Sequence, residues 1–389
     1  MTAFRPFEHD LIPINEQFKS WKEMTLPPYD KKTADPYTKT RVILMNGIEN
    51  GSVLMKHALA RMIDNDAVKL HLALTRRVES LQQQTINWLN PADQTVVETS
   101  ISYEQLAVDL TANLAQNERD SYFKQVLDFA LLEDFDHLYR YALLYEQLEG
   151  GDAEELTRGR TEIKPGRPTR IQHRHPADEM RTHFDREEAS LRTRMNYFTI
   201  VSAEQQTMLF YKDHGQMYPS TLARQLYTEI ADVEQQHVSQ YEAVGDPNMT
   251  PLEALLLMEL NEAYNYFSAY QAEEDPAIKK VWKEFMGQEL EHFHMAIALL
   301  ERYEGGDARE VLGDGIIPSI IELRPNIDYV NAVLQTQADL QPYDMEFVRS
   351  ENLPADWPSF AFRDRQNGGV PPSDYVEKRR PRGRIRERM

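Results

Sequence analysis

Apolar and aromatic residues recur along much of this chain at steps of three and four, the period of a helix with one buried face. Between residues 188 and 304 the pattern divides into four stretches. The first carries Tyr197, Val201, Glu204, Met208 and Tyr211, and the second Ala223, Tyr227, Ile230, Glu234, His237 and Tyr241. The third carries Leu252, Leu256, Glu259, Ala263, Tyr266 and Tyr270, and the fourth Trp282, Phe285, Glu289, His292, Ala296, Leu299 and Tyr303. Local punctuation agrees with these limits. Gly215 closes one stretch and Ser220 opens the next, Thr250-Pro-Leu-Glu253 is a capping box with proline at the first helical position, and Asp275-Pro276 repeats the cap-then-proline signal. Gly305-Gly306 ends the last. The pattern predicts helices over 188–214, 220–244, 251–273 and 276–304, with connections short enough for antiparallel neighbours in a bundle. Little alternates with the period of a strand, so almost no sheet is expected.

The same pattern occurs earlier, displaced by 155 residues (148 to 303). Leu148-Glu-Gly-Gly-Asp-Ala153 matches Tyr303-Glu-Gly-Gly-Asp-Ala308, and without gaps Glu49 meets Glu204, Glu79 meets Glu234, Glu104 meets Glu259 and His137 meets His292. Helices are therefore predicted over 38–63, 66–90, 98–118 and 121–149. The chain reads as a duplication, with one four-helix bundle in residues 1–180, a second in 181–345, and a C-terminal arm over 346–389. Arg158 to His175, rich in Pro, Gly, Arg and His, reads as an irregular linker, and the prolines of 341–375 as an extended arm. Glu377 to Met389 is strongly basic and reads as a solvated tail.

Each stripe in the second half is apolar except at mid-helix, where Glu or His interrupts it. Burying one unpaired carboxylate costs several kcal/mol, and no Lys or Arg lies on these stripes to offset it. Two divalent cations would balance Glu204, Glu234, Glu259 and Glu289, and the imidazoles of His237 and His292 would complete the ligand set. One Glu on each of two helices with Glu-x-x-His on each of the other two is the recurring dinuclear arrangement of bundles, because the i, i+3 spacing puts both groups on one face. Oxygen-rich ligation with two imidazoles suits iron or manganese. Glu262, one turn from Glu259, is an added ligand or a bundle-edge glutamate. Glu291 and His294 share the spacing but lie off the stripe. The first half offers a weaker second metal set: Glu49, Glu79, Gln82, Glu104, Asp134 and His137, with Gln82 in place of one His and Ala107 in place of Glu262. Its alternative is a degenerate half whose charge is offset by Lys56 and water. Glu133 lies off the stripe. Tyr197, Tyr227, Tyr241, Tyr266 and Tyr270 read as core aromatics, and His173, His175, His183 and His214 as loop or surface histidines.

Composition narrows the chemistry. The 389 residues carry a formal charge of -20 and no cysteine. Nucleic acid and anionic membrane are unsuited partners for such a chain, and thiolate zinc sites, iron–sulfur clusters, disulfides and cysteine nucleophiles are excluded. No stretch approaches the length of a membrane span, and the first ten residues do not form a signal peptide, so a cytoplasmic location is expected.

These ligand residues resemble those of the ferritin-like superfamily, most closely the rubrerythrin group. That group's order of Glu, Glu-x-x-His, two Glu a turn apart and Glu-x-x-His is met by Glu204, Glu234-Gln-Gln-His237, Glu259 with Glu262, and Glu289-Leu-Glu-His292. The resemblance covers about 190 to 305 and implies an all-α fold of two tandem ferritin-like bundles, with a non-haem di-iron centre that reacts with peroxide or dioxygen or turns over a small-molecule substrate. Rubrerythrins add a rubredoxin domain with cysteine iron ligands. Its absence here implies an external reductant. A monomer, with the two fused bundles imitating the homodimer of single-bundle relatives, or a homodimer fits this reading. A metal-binding or structural scaffold without turnover is the other reading that the sequence supports.

Overall fold

The computed structural model describes residues 2–379, and the fold is all-α apart from one small hairpin. The eight long helices are α1 (Pro36–Met62), α2 (Asp66–Asn87), α3 (Val96–Asn117), α4 (Ser121–Glu149), α5 (Leu191–His214), α6 (Thr221–Glu242), α7 (Pro251–Ala272) and α8 (Pro276–Leu299). Their limits lie within a few residues of those predicted, except that α8 gives way to a π-helical turn over Leu300–Glu304.

Every long helix begins on a side-chain N-cap that satisfies otherwise orphaned backbone N–H groups. The caps keep the 155-residue register in pairs: Asp35 and Ser190, Asn65 and Ser220, Thr95 and Thr250, Asp120 and Asp275. Both Thr caps close reciprocal capping boxes, with Glu98 and Glu253. Gly150 and Gly305 occupy left-handed backbone at φ 69° and 67°, which ends the helical run in each half.

Consecutive helices pair as hairpins, α1 with α2, α3 with α4, α5 with α6 and α7 with α8. A division at residue 180 would then join the first two hairpins to each other and the last two to each other. Within each half α1 does touch α3 and α5 touches α7, but the sets of four in which both helices of each hairpin take part run across the halves. α1 and α2 lie against α7 and α8, while α3 and α4 lie against α5 and α6. Polar pairs repeat this exchange in both directions. Thr38 and Arg41 of α1 donate to Glu273 at 2.7 and 2.8 Å, and their counterparts Thr193 and Asn196 of α5 donate to Glu118 at 2.7 and 2.8 Å. The segments before α1 and α5 also match: Ile12 N donates to Gly287 O at 2.8 Å, and Arg167 N to Leu132 O at 2.9 Å.

The two groups of four helices meet where α1 crosses α5. Gly47 and Gly51 allow close approach: a Cβ at Gly51 would lie 2.3 Å from Ser202 Oγ, and one at Gly47 would lie 2.7 Å from Gln206 Oε1. The C-terminal region differs from the extended arm expected. Strands over Leu340–Tyr343 and Glu346–Arg349 form an antiparallel hairpin. Short helices over Pro358–Asn367 and Pro372–Lys378 follow, and the second packs on α4 and α6. Ser373 there donates to Glu229 at 2.8 Å and Arg140 of α4 to Glu377 at 2.6 Å. Proline opens both short helices, at the position where it suits a helix start. Most of the basic run lies outside the described residues. No helix among the described residues is long and apolar enough to cross a membrane.

Gly51→Leu forces a side chain into the α1–α5 crossing, and denaturant unfolding should show a loss of about 1–3 kcal/mol. Asp109 of α3 is buried and accepts from Thr161 at 2.7 Å, Tyr37 at 3.2 Å and Asn326 at 3.3 Å, tying the linker and the segment before residue 327 to the bundle. Burial outweighs these donors and raises its pKa from 3.8 to about 7. The folded state therefore holds this proton more tightly than the unfolded chain, and its stability falls as pH rises from about 4 to about 7. The loss is up to about 4 kcal/mol. Asp109→Asn should flatten the pH dependence of stability relative to the native chain over that window.

Candidate metal centre

The hairpin exchange redistributes the carboxylates and histidines, so both polar clusters draw on both halves of the chain. Site I lies within α3–α6 and contains Glu104, Asp134, His137, Glu204, Glu234 and His237. Site II lies within α1, α2, α7 and α8 and contains Glu49, Glu79, Gln82, Glu259, Glu262, Glu289 and His292. The grouping of Glu204, Glu234 and His237 with Glu259, Glu289 and His292 is therefore not found. The same holds for Glu49, Glu79 and Gln82 with Glu104, Asp134 and His137. Local pattern places each residue on a core face at mid-helix, and both modes of hairpin pairing satisfy that pattern.

Site I consists of two four-residue clusters that share two members. Asp134, Glu204, Glu234 and His237 form one, and Glu104, Asp134, His137 and Glu234 form the other, with potential ligand atoms in each within 4.8 Å of one another. All six residues are buried. The shared pair, Asp134 and Glu234, each begin an acid-x-x-His run, Asp134-Phe-Asp-His137 and Glu234-Gln-Gln-His237. One helical turn therefore aims a carboxylate and an imidazole at the same space.

Both imidazoles turn Nδ1 inward. Nδ1 of His237 lies 3.2 Å from Glu234, 3.3 Å from Asp134 and 3.7 Å from Glu204, and Nδ1 of His137 lies 2.9 Å from Glu234. Both turn Nε2 outward to a fixed oxygen. His137 Nε2 is 2.7 Å from Gln172 Oε1, and His237 Nε2 is 2.9 Å from Glu133 Oε2. An Nε2–H donated outward leaves the Nδ1 lone pair free to bind a cation, and such an anchor orients metal-binding histidines. Buried guanidiniums hold Glu133 in turn: Arg174 donates at 2.8 and 2.9 Å and Arg167 at 3.2 Å. Burial opposes its charge, but Arg174, His237 and Arg167 outweigh that and hold Glu133 well below the usual carboxylate range.

The carboxylates of site I lack such partners. Glu104 Oε2, Glu204 Oε2 and both Asp134 oxygens are buried with no hydrogen-bond donor. Burial pushes the Glu104 carboxyl well above its usual range, and Glu234 and Asp134 add to this. Burial and Asp134 do the same to Glu204. Burial disfavours a charge on His237, but Asp134 and its other acidic neighbours outweigh that and raise its pKa. The pocket therefore favours added positive charge, as protons or as cations. Four carboxylates and two neutral imidazoles match two divalent cations in charge, so these residues fit a dinuclear centre. Tyr211 donates to the remaining Glu104 oxygen at 2.6 Å, and the same tyrosine lines a surface groove of about 800 Å³ beside α6.

Site II has the same frame but different occupants. His292 Nδ1 lies 2.9 Å from Glu289, and its Nε2 meets Gln17 Oε1 at 2.8 Å. Gln82 donates to Glu289 at 2.6 Å, and Tyr266 donates to Glu49. Glu262 accepts from Ser52 at 2.8 Å. No cation was expected to offset the acidic residues of the second-half stripes, yet Lys56 of α1 contacts Glu79 and lies 2.8 Å from Glu259. The helix supplying it belongs to the other half, and so it is absent from those stripes.

Several residues behind these clusters carry weak sequence signals. Gln17 and Gln172 anchor equivalent histidines and stand 155 residues apart (17 to 172), a match visible if the repeat is extended upstream of Glu49. Arg167 and Arg174 lie in the segment read from its composition as an irregular linker, and both are buried. Glu133 sits one residue off the α4 stripe and acts through His237. His173 is also buried, 3.7 Å from both Glu229 and Asp232, unlike the surface or loop histidine expected. His175 and His183 are exposed, His214 stacks on Phe210, and Glu291 and His294 are half-buried outside both sites.

No protein-family model matches this chain, and neither curated proteins nor solved structures offer a significant relative. The site is therefore interpreted from its own chemistry. Arg174→Met would leave Glu133 with a single guanidinium at full burial, and denaturant unfolding should show a loss of about 3–5 kcal/mol.

Proposed function

We propose that site I binds two iron ions and that the protein is a non-haem di-iron oxidoreductase of rubrerythrin-like type, acting on peroxide or dioxygen. The observation that carries this reading is the pair of cation positions sharing Asp134 and Glu234, with donor-free carboxylate oxygens facing them. Glu204 and His237 would serve one position, Glu104 and His137 the other, and Asp134 and Glu234 both. Four carboxylate and two imidazole ligands favour iron or manganese. Bound iron would supply the electrons for reducing the oxidant.

The chain's own contributions are geometric and electrostatic. Gln172 and Glu133 hold the imidazoles with Nδ1 inward. Full burial of the six ligands excludes bulk water. Tyr211 lines the groove and donates to Glu104, which places a phenolic proton at the ligand shell. With no cysteine in the chain, the reductant is external. In this reading each group of four helices is a ferritin-like bundle, completed by exchange of hairpins between two repeats.

A metal-binding or structural scaffold without turnover is favoured by one observation: site II closes the same frame with Lys56 and Gln82 as donors to its carboxylates. Anaerobic titration with ferrous iron tests the main reading. The native chain should take up two irons. After oxidation it should absorb in the near ultraviolet, bleach with dithionite and recover with peroxide. Replacing both shared ligands, Asp134→Asn with Glu234→Gln, should abolish uptake, since each contributes to both positions. A native chain that binds no iron would overturn the proposal, whereas a bound metal that never cycles would favour the scaffold.

A further inference from the structure

Site II is the internal counterpart of site I, and comparing them residue by residue shows which cation each is built for. At the 155-residue offset Lys56 corresponds to Tyr211, Gln82 to His237, Glu259 to Glu104, Glu289 to Asp134 and His292 to His137. Tyr211 donates one proton to Glu104 at 2.6 Å. Lys56, at the equivalent place, makes the equivalent contact with Glu259 at 2.8 Å, but its ammonium also contacts Glu79, the counterpart of the shared ligand Glu234. A positive charge thus lies between a carboxylate of α2 and one of α7, within the Glu79, Glu259, Glu289 and His292 cluster.

The other position is altered as well. His237 presents a ring nitrogen able to act as a ligand, whereas Gln82 uses its amide N–H to donate to Glu289 at 2.6 Å. Tyr266 and Ser52 hold Glu49 and Glu262 as donors. Glu49 Oε2 and Glu262 Oε1 of site II remain without donors, as Glu104 Oε2, Glu204 Oε2 and both Asp134 oxygens do in site I, so the difference between the two clusters is the ammonium of Lys56 between Glu79 and Glu259. Lys56 is fully buried, and removing it would strip an ionic partner from charges that have lost access to water.

We infer that Lys56 is the resident cation of site II: its side chain stands where a divalent ion would otherwise join Glu79 to Glu259, so site II takes no metal and the metal capacity of the chain lies in site I. The inference uses the metal reading of site I for comparison but makes its own claim about the second cluster. Two substitutions separate the sites. Lys56→Met removes the ammonium at similar length and leaves the four-ligand cluster intact. Adding Gln82→His restores the missing imidazole.

Equilibrium dialysis of the full-length chain against manganese(II) reads the outcome directly. The native chain should hold two ions, Lys56→Met three, and the double variant Lys56→Met with Gln82→His four. A Lys56→Met chain that folds only in the presence of manganese supports the inference equally. The reciprocal change, Tyr211→Lys, places an ammonium beside Glu104 and should reduce site I to one ion. The inference is overturned if native protein binds a manganese ion that Glu259→Gln removes. It is also overturned if folded Lys56→Met gains none, or if Tyr211→Lys retains two. A native chain that binds no manganese while Lys56→Met binds one would remove the site I reading and leave this one standing.

Discussion

Carboxylates directed from eight helices into two dry interiors impose the governing constraint on this molecule, because each must be offset by something other than water. The cost of leaving one ionised and unpaired is several kcal/mol, a large part of a typical protein's net stability. The two interiors meet that demand in different ways. In site II a lysine, an amide and hydroxyl groups donate to the carboxylates, as Lys56, Gln82, Ser52 and Tyr266 show. In site I Glu104 Oε2, Glu204 Oε2 and both Asp134 oxygens have no donor, and the positively charged groups nearby, Arg167 and Arg174, pair with Glu133 behind the imidazole of His237; site II also leaves Glu49 Oε2 and Glu262 Oε1 without donors but has Lys56 among its carboxylates. That contrast within one chain supports a cation-binding role for site I more directly than acidic content alone.

Exchange of hairpins between the repeats is what assembles both interiors. The exchange appears in unrelated parts of the structure that share one register: the Thr38–Glu273 and Thr193–Glu118 bonds, the docking of Ile12 and Arg167 on Gly287 and Leu132, and the anchoring of His292 and His137 by Gln17 and Gln172. Each half supplies two helices to each site, so neither half contains a complete cluster. The two interiors differ at single positions, His237 in one and Gln82 in the other, on the same helical frame.

Much of the local structure was legible in the sequence. Thr250 with Glu253, Asp275 before Pro276, and Gly305 marked helix limits through backbone hydrogen-bond chemistry that acts over a few residues. The interruption of apolar stripes by Glu204, Glu234, His237, Glu259, Glu289 and His292 marked them as inward-facing. Which hairpin packs on which was not legible, because an exchanged pair and an unexchanged pair bury the same faces and use the same connections. Lys56 was legible as an offset to the first-half carboxylates, and it does contact Glu79, but its contact with Glu259, 203 positions away and in the other repeat, was hidden for the same reason. Arg167 and Arg174 read as linker residues because composition cannot reveal that Glu133 awaits them.

In the proposed function, residues of both halves converge on one dinuclear centre. Crystals of the iron-loaded, full-length chain, measured for anomalous scattering at the iron edge, test it most directly. Two adjacent peaks enclosed by Glu104, Asp134, His137, Glu204, Glu234 and His237 are expected, with none beside Lys56. Peaks among Glu259, Glu289 and His292, or no iron peak in α3–α6, would contradict it.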